Sequence, residues 1–392
     1  MNFGNEIDFF VETDESLANY LKFSTMDKQP PMIPLVKVAM PPRDVLMPAL
    51  ESVLYGGMIA EGEHVYRFEA AFSELFGLPS TLATSSGTGA LHIAFELAGA
   101  GVGTEIITTS MTAEPTNTTI LQTGAVPVFA DVNPRTGNID PASVESLLTE
   151  RTKAICAVHY AGYPVELGEL RQVADRHGVV LIEDCAHALG ARFNGRSVGA
   201  FGDSAIFSFQ AIKHMTTIDG GALTLKNQAQ IPDAKRLRWF GLTKGVPRTE
   251  VDIVRPGYKY NMHNVAGLLG QLQLQGIDTL LNRHISNGRF YDEQFASVPG
   301  IAPAAIPDGA EPTYWLYTLL AEDSDDVERR LASIGVMASK LHRPNHYHSV
   351  FAPYRRPMPG LDEFYRKLVH IPCGWWVSDE DRERIVDALA KG

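Results

Sequence analysis

Short apolar runs recur through the middle of the chain, and between them the sequence switches to helical periodicity. The β-rich runs are Glu105–Thr109, Val126–Phe129, Lys153–His159, Val179–Glu183, Ser204–Phe209 and Ala222–Leu225, and helical patterns cover Gly89–Ala100, Glu114–Thr123 and Val165–His177. Such alternation predicts an α/β domain around a mostly parallel sheet. Several runs lack polar alternation, as strands covered on both faces do. The pattern holds from about Pro34 to Gly270, after which a long helix is expected from near Asn264 toward Phe295. Beyond it come short strands such as Tyr314–Leu320 and a last helix opening at Ser378, with Asp379, Glu380 and Asp381 in its first turn. A chain of 392 residues suits two domains. We expect an N-terminal arm over 1–30, a large α/β domain over 31–280 and a smaller C-terminal α+β domain over 281–392.

Three segments carry candidate chemistry. In the first, Ser86, Gly87 and Thr88 open a helix, where small residues let backbone N–H groups and hydroxyls reach an anion. Taken alone, the same residues would serve an ordinary capped helix. In the second, the apolar run Val179–Ile182 ends in Glu183 and Asp184, and ligands of open parallel sheets bind outside such strand ends. A lone acid there is more often a cap. In the third, the run ending at Phe209 delivers Ser208 and then Lys213, followed by the pair Gly220-Gly221. By itself Lys213 would be a solvated loop lysine.

Together the three have a specific meaning. An anion cradle, a strand-end acid and a loop lysine are what pyridoxal phosphate (PLP) requires: donors for the phosphate, an amine to form an imine (a Schiff base) and an acid to keep the pyridine nitrogen protonated. A carboxylate about 4 Å from that nitrogen supplies roughly 4 kcal/mol at an effective dielectric near ~20, up to ~3 pKa units before its own desolvation is charged against it.

Composition removes other classes. The net charge of −12 disfavours nucleic-acid binding. No apolar stretch is long enough for a membrane span, and the acidic N-terminus, MNFGNEIDFFVETDE, does not read as a secretory signal. The three cysteines, Cys156, Cys185 and Cys373, form no CxxC pair, so neither a disulfide framework nor a metal site is expected, and a cytoplasmic location is.

The motifs SSGTGALHIAF, GAVPVFADV, VHYAGYPVELGEL, VLIEDCAHALGA and FSFQAIKHMTTIDGGAL resemble the sugar aminotransferases of the DegT/DnrJ/StrS family. The resemblance runs from about residue 33 to the C-terminus. It implies the aspartate-aminotransferase-like fold (PLP fold type I), with a mostly parallel mixed sheet in the large domain, and a homodimer with active sites at the subunit interface. It implies Lys213 as the Schiff-base lysine, Asp184 at the pyridine nitrogen and His187 near the ring's phenolic oxygen. Ser86, Gly87, Thr88 and Ser208 fall at the phosphate, and the strand of His159 and Tyr160 has its end facing the cofactor. Where many members read GYNYR, this chain has Gly257-Tyr258-Lys259-Tyr260-Asn261, so Lys259 becomes a candidate phosphate contact and Asn261 replaces an arginine. Ala113 fills a slot that is aromatic in many members, leaving ring stacking to another residue such as Met111, and Gly57-Met58-Ile59-Ala60 replaces a Gly-Trp loop. Related dehydratases carry His at the lysine position, so Lys213 favours transamination. The implied activity is transfer of an amino group from glutamate or glutamine to a nucleotide-linked keto-sugar. A keto-cyclitol acceptor and a non-catalytic PLP-binding regulator are the alternatives.

Overall fold

The structure, a computed structural model, describes residues 32–390; the arm expected over 1–30 lies outside the described residues. The strands of the first region are β1 (Ser80–Thr84), β2 (Glu105–Thr109), β3 (Val126–Ala130), β4 (Thr152–Val158) and β5 (Val180–Asp184). A small hairpin of β6 (Arg192–Phe193) and β7 (Arg196–Ser197) follows, then β8 (Ser204–Ser208) and β9 (Gly221–Leu225). Seven of them form one sheet in the order β1-β9-β8-β5-β4-β2-β3. Strands β8, β5, β4, β2 and β3 run parallel, while β9 is antiparallel to both of its neighbours. The sheet is therefore mixed and mostly parallel, as expected.

Successive residues of each central strand point to opposite faces, and both faces are dry. Ile107, Ile155, Leu181, Ala205 and Phe207 pack with Phe68 and Phe72 on one side. Ile106, Cys156, Ile182 and Ile206 pack with Leu91, Phe95 and Ile120 on the other. Each large side chain buried in this way stabilises by about 1.5–3 kcal/mol, which is why these runs carry no polar alternation.

The second region is a sheet of β10 (Ile301–Pro303), β12 (Tyr317–Ala321) and β13 (Leu368–Ile371), while the intervening β11 (Ala310–Glu311) pairs with β6. The helix Asn264–Phe295 runs unbroken across the boundary expected at 280/281. Its Ala266 and Ile277 belong to the first core, and its Tyr291 and Phe295 to the second. The final helix, Asp379–Ala390, opens on a reciprocal cap: Asp381 N–H donates to Ser378 Oγ (3.1 Å), and Ser378 N–H to Asp381 Oδ2 (3.3 Å).

Gly221 seats the start of helix Gly87–Leu97 on the sheet. A Cβ there would lie 2.5 Å from the Gly87 amide nitrogen and 2.6 Å from the Ser86 carbonyl oxygen, both immovable backbone atoms. Gly221→Ala is expected to destabilise the protein by about 1–3 kcal/mol. Gly276→Ala, an exposed mid-helix position with nothing within 4 Å of the new methyl, is expected to stabilise it by up to about 1 kcal/mol. Denaturant midpoints of the two variants, moving in opposite directions, are the check.

Candidate active site

Parallel strands end together, and the loops after them converge at one edge of the sheet. Strand β5 delivers Glu183 and Asp184 there, and their side chains have different fates. Glu183 is consumed by structure: it accepts from the amides of Gly199 (2.7 Å), Phe201 (2.8 Å) and Gly202 (2.6 Å). It also accepts from His159 Nε2 at 3.2 Å, because the Val165 amide donates to Nδ1 of that ring. His159 therefore has both nitrogens committed to the scaffold.

Asp184, on the opposite face, is 2 % exposed. Thr116 Oγ1 donates to its Oδ2 (2.8 Å) and the Ala186 amide to its Oδ1 (3.1 Å). Burial raises its pKa above the usual carboxylate value, against the pull of these two bonds and of the nearby Lys213 charge. Thr116 sits in the first turns of helix Glu114–Gln122, one turn past Ala113. Nothing in its local sequence marks it as a partner of a residue 68 positions away.

Lys213 lies in the loop leaving β8, held by its own amide donating to Gln210 O (3.0 Å). Burial lowers its pKa to about 8, with Asp184 opposing. Its Nζ stands 4.2 Å from the centroid of the Trp315 ring. His187 stacks on the same indole (4.0 Å, 15°), and His342 lies parallel to His187 at 5.7 Å. Burial holds His187 well below the ordinary histidine value and His342 down to about 3, so both rings are neutral. Both ring nitrogens of His187 are sealed from water and have no hydrogen-bond partner among the described residues. Trp315 and His342 come from the second region, and no motif near Lys213 announces them.

The third element is the start of helix Gly87–Leu97. Ser86 caps it, its Oγ accepting from the Gly89 amide (3.0 Å) and its carbonyl from the Ala90 amide (3.2 Å). The amides of Gly87 and Thr88 are thereby left to face outward at the positive end of the helix dipole. Ser208, ending β8, abuts this turn: a Cβ on Gly87 would lie 3.0 Å from Ser208 Cβ and 3.3 Å from its Oγ.

Two expectations need correction or restatement. Met111 is fully buried in the second core, with Phe129 and Phe351, so it cannot stack on a ligand ring; the loop turns it inward because that core needs an apolar filler. Lys259 does not join the group within its own chain. Its Nζ donates to Asn261 Oδ1 (2.6 Å) and lies 4.0 Å from the Trp239 ring centroid. Its segment still runs beside the anion turn, since Ser85 N–H donates to Tyr260 O (2.6 Å) and Thr84 bridges Asn261.

Residues 43–390 match the DegT/DnrJ/EryC1/StrS aminotransferase family. The chain is 29% identical over 354 residues to the spore coat polysaccharide biosynthesis protein SpsC of Bacillus subtilis, covering 86% of this chain and 91% of that protein. Among solved structures it superposes on the sugar aminotransferase CalS13 from Micromonospora echinospora with a TM-score of 0.89 and 35% identity, over 92% of this chain and 100% of that one. It likewise matches the PLP form of Spr1654 from Streptococcus pneumoniae (TM-score 0.84, 27% identity, 92% and 98% covered).

Proposed function

The chain belongs to the DegT/DnrJ/EryC1/StrS aminotransferase family of PLP-dependent sugar aminotransferases, and from that premise we propose that it moves an amino group from glutamate or glutamine to a nucleotide-linked keto-sugar. The residues present fit the cofactor. His187 offers two unpartnered, sealed ring nitrogens beside the lysine. Gly87 and Ser208 leave a notch at a helix start that a side chain would fill. Asp184 is a carboxylate kept dry and pinned in place.

When bound, PLP supplies an aldehyde that condenses with amines and a pyridine ring that draws electrons from the substrate carbon. The protein's own residues divide the remaining work. Helix Gly87–Leu97, with Ser86, Thr88 and Ser208, holds the phosphate through N–H and O–H donors. Asp184 keeps a proton on the pyridine nitrogen, and Thr116 keeps Asp184 in place. Lys213 Nζ anchors the aldehyde carbon. Its amine, when free, would carry the proton between the substrate carbon and the carbon two atoms away, across the intervening nitrogen. A pKa near 8 suits that exchange, because the amine is then close to balanced between base and acid at working pH. His187, neutral, offers a ring nitrogen to the phenolic oxygen. Lys259 is engaged by Asn261 and Trp239 and by none of the site residues of its own chain, which suits a homodimer in which this residue serves the partner's phosphate. The exposed Tyr55, Met58 and Ile59 are apolar surface that such a partner would cover.

The observation that carries this reading is the buried Asp184 within electrostatic reach of Lys213, an amine that burial leaves easier to deprotonate than an ordinary lysine. The test is spectroscopic. The purified protein loaded with PLP is expected to show a visible band that glutamate or glutamine bleaches and a keto-sugar restores. A band that no amino acid bleaches would overturn the transaminase reading.

A further inference from the structure

We infer that Trp315 is a positioning residue for Lys213: its indole face holds the ε-ammonium during the part of the cycle when the amine is free and carrying a proton. The inference rests on the aminotransferase reading for its place in the cycle, but the contact belongs to the chain alone.

Four observations carry it. Lys213 Nζ lies 4.2 Å from the Trp315 ring centroid, within the range at which an aromatic quadrupole attracts a cation. Trp315 Nε1 donates to the carbonyl of Ile212 (2.8 Å), so the indole is fastened to the residue directly before the lysine, and ring and amine keep a common frame. The indole cannot drift. Leu316 N–H donates to Ala161 O (3.2 Å) and Thr313 N–H to Gly162 O (3.1 Å), and a Cβ on Gly162 would lie 2.6 Å from the Trp315 amide nitrogen. The stacked His187 and the wall of the second core hold the ring at 2 % exposure.

The electrostatic logic favours a neutral platform. The titratable groups acting on Lys213 are Asp184 at the end of β5, His187 just after it, His214 in its own loop and His342 from the second region. The three histidines are neutral by burial, and His214 Nε2 is spent on Thr313 O (3.1 Å). Asp184 is the one anion among them, and it is claimed by the pyridine nitrogen. A second carboxylate beside Lys213 would hold the proton too firmly for its return to carbon. An indole face steadies the ammonium and still lets the proton go.

The experiment reads the amine directly, in the full-length protein freed of cofactor. Labelling of Lys213 by acetic anhydride is followed against pH by mass spectrometry of its peptide, in wild type, Trp315→Phe and Trp315→Leu. In W315L the apparent pKa of the amine is expected to fall by about 0.4–1.5 units, and in W315F by less than half of that. The pH profile of the glutamate half-reaction in the loaded protein should shift by the same amount. A second measurement needs no change at residue 315: the Trp315 indole N–H resonance of wild type should move with the Lys213 titration and stand still in Lys213→Met. Identical labelling curves in W315L and wild type, or an indole resonance blind to pH in wild type, would overturn the inference. If the labelling shift appears while no amino acid bleaches the visible band, the contact stands and the aminotransferase reading is what has failed.

Discussion

Lys213→Ala is expected to abolish the visible band of the loaded protein and to lower amino-group transfer by at least about 10³–10⁴-fold, since it removes both the nucleophile and the proton carrier at one stroke. Among the described residues no other lysine is known to stand at the site. Lys259, the second lysine considered from sequence, is engaged by Asn261 and Trp239. Lys213→Arg separates charge from chemistry. It restores a cation beside Trp315, but a guanidinium does not give up its proton in a protein, so it should be as inactive as alanine. Neither change should unfold the chain. The native lysine is held below its ordinary value, at about 8, by burial. Between that value and the ordinary lysine pKa the unfolded chain binds the extra proton, so wild type gains stability as pH rises through this window. Lys213→Ala should lack that increment. Thermal midpoints of the two proteins compared from neutral to alkaline pH test this, and the band and the glutamate half-reaction test the chemistry. A variant that kept both band and half-reaction would remove Lys213 from the mechanism.

Which parts of this site were legible in sequence follows from how local their signals are. Ser86, Gly87 and Thr88 announce themselves because a helix start is encoded within one turn. Asp184 ends one apolar run and Lys213 follows another by four residues, and the extent of those runs shows where the strands stop. The parallel strands read well because β2, β4, β5 and β8 are each covered on both faces. Strand β1 was missed: its pairing partner β9 lies far along the chain, with Leu82 opposite Leu223, and five residues opening at an exposed Ser80 carry little pattern of their own. The same distance hid Thr116, Trp315 and His342, whose roles exist only once the second region folds back over the sheet. Met111 was misread because an apolar residue near a strand end can fill a core or face a ligand, and only the completed core decides. His159 shows the same ambiguity from the other side. Its strand does end at the site edge, but the alternation of side chains turns its ring toward Glu183.

Asp184→Asn is the second change with a large expected effect, and it separates function from stability. Asparagine fits the same space. Its Oδ1 can accept from the Ala186 amide, and its Nδ2 can donate to Thr116 Oγ1, which then turns its own proton toward Thr112 Oγ1, already 3.1 Å away. The fold therefore keeps its hydrogen bonds and sheds a buried charge. In wild type the folded-state pKa of Asp184 is raised, so the folded protein binds the proton more readily than the unfolded chain does. Stability is consequently lost as pH rises from the ordinary aspartate value through the raised one. Removing the carboxylate removes that penalty, and the cofactor-free variant should melt at the same temperature as wild type or higher. Catalysis should move the other way. An amide cannot hold a proton on the pyridine nitrogen; a carboxylate about 4 Å from it is worth roughly 4 kcal/mol before desolvation, which corresponds to an expected loss of about 10²–10³-fold in the glutamate half-reaction. The visible band should persist, because Lys213 is intact. Calorimetry of the cofactor-free protein and stopped-flow bleaching of the loaded one make the comparison. A variant that bleached as fast as wild type would deny Asp184 its electrostatic role, and one that melted well below wild type would show that the carboxylate is part of the scaffold.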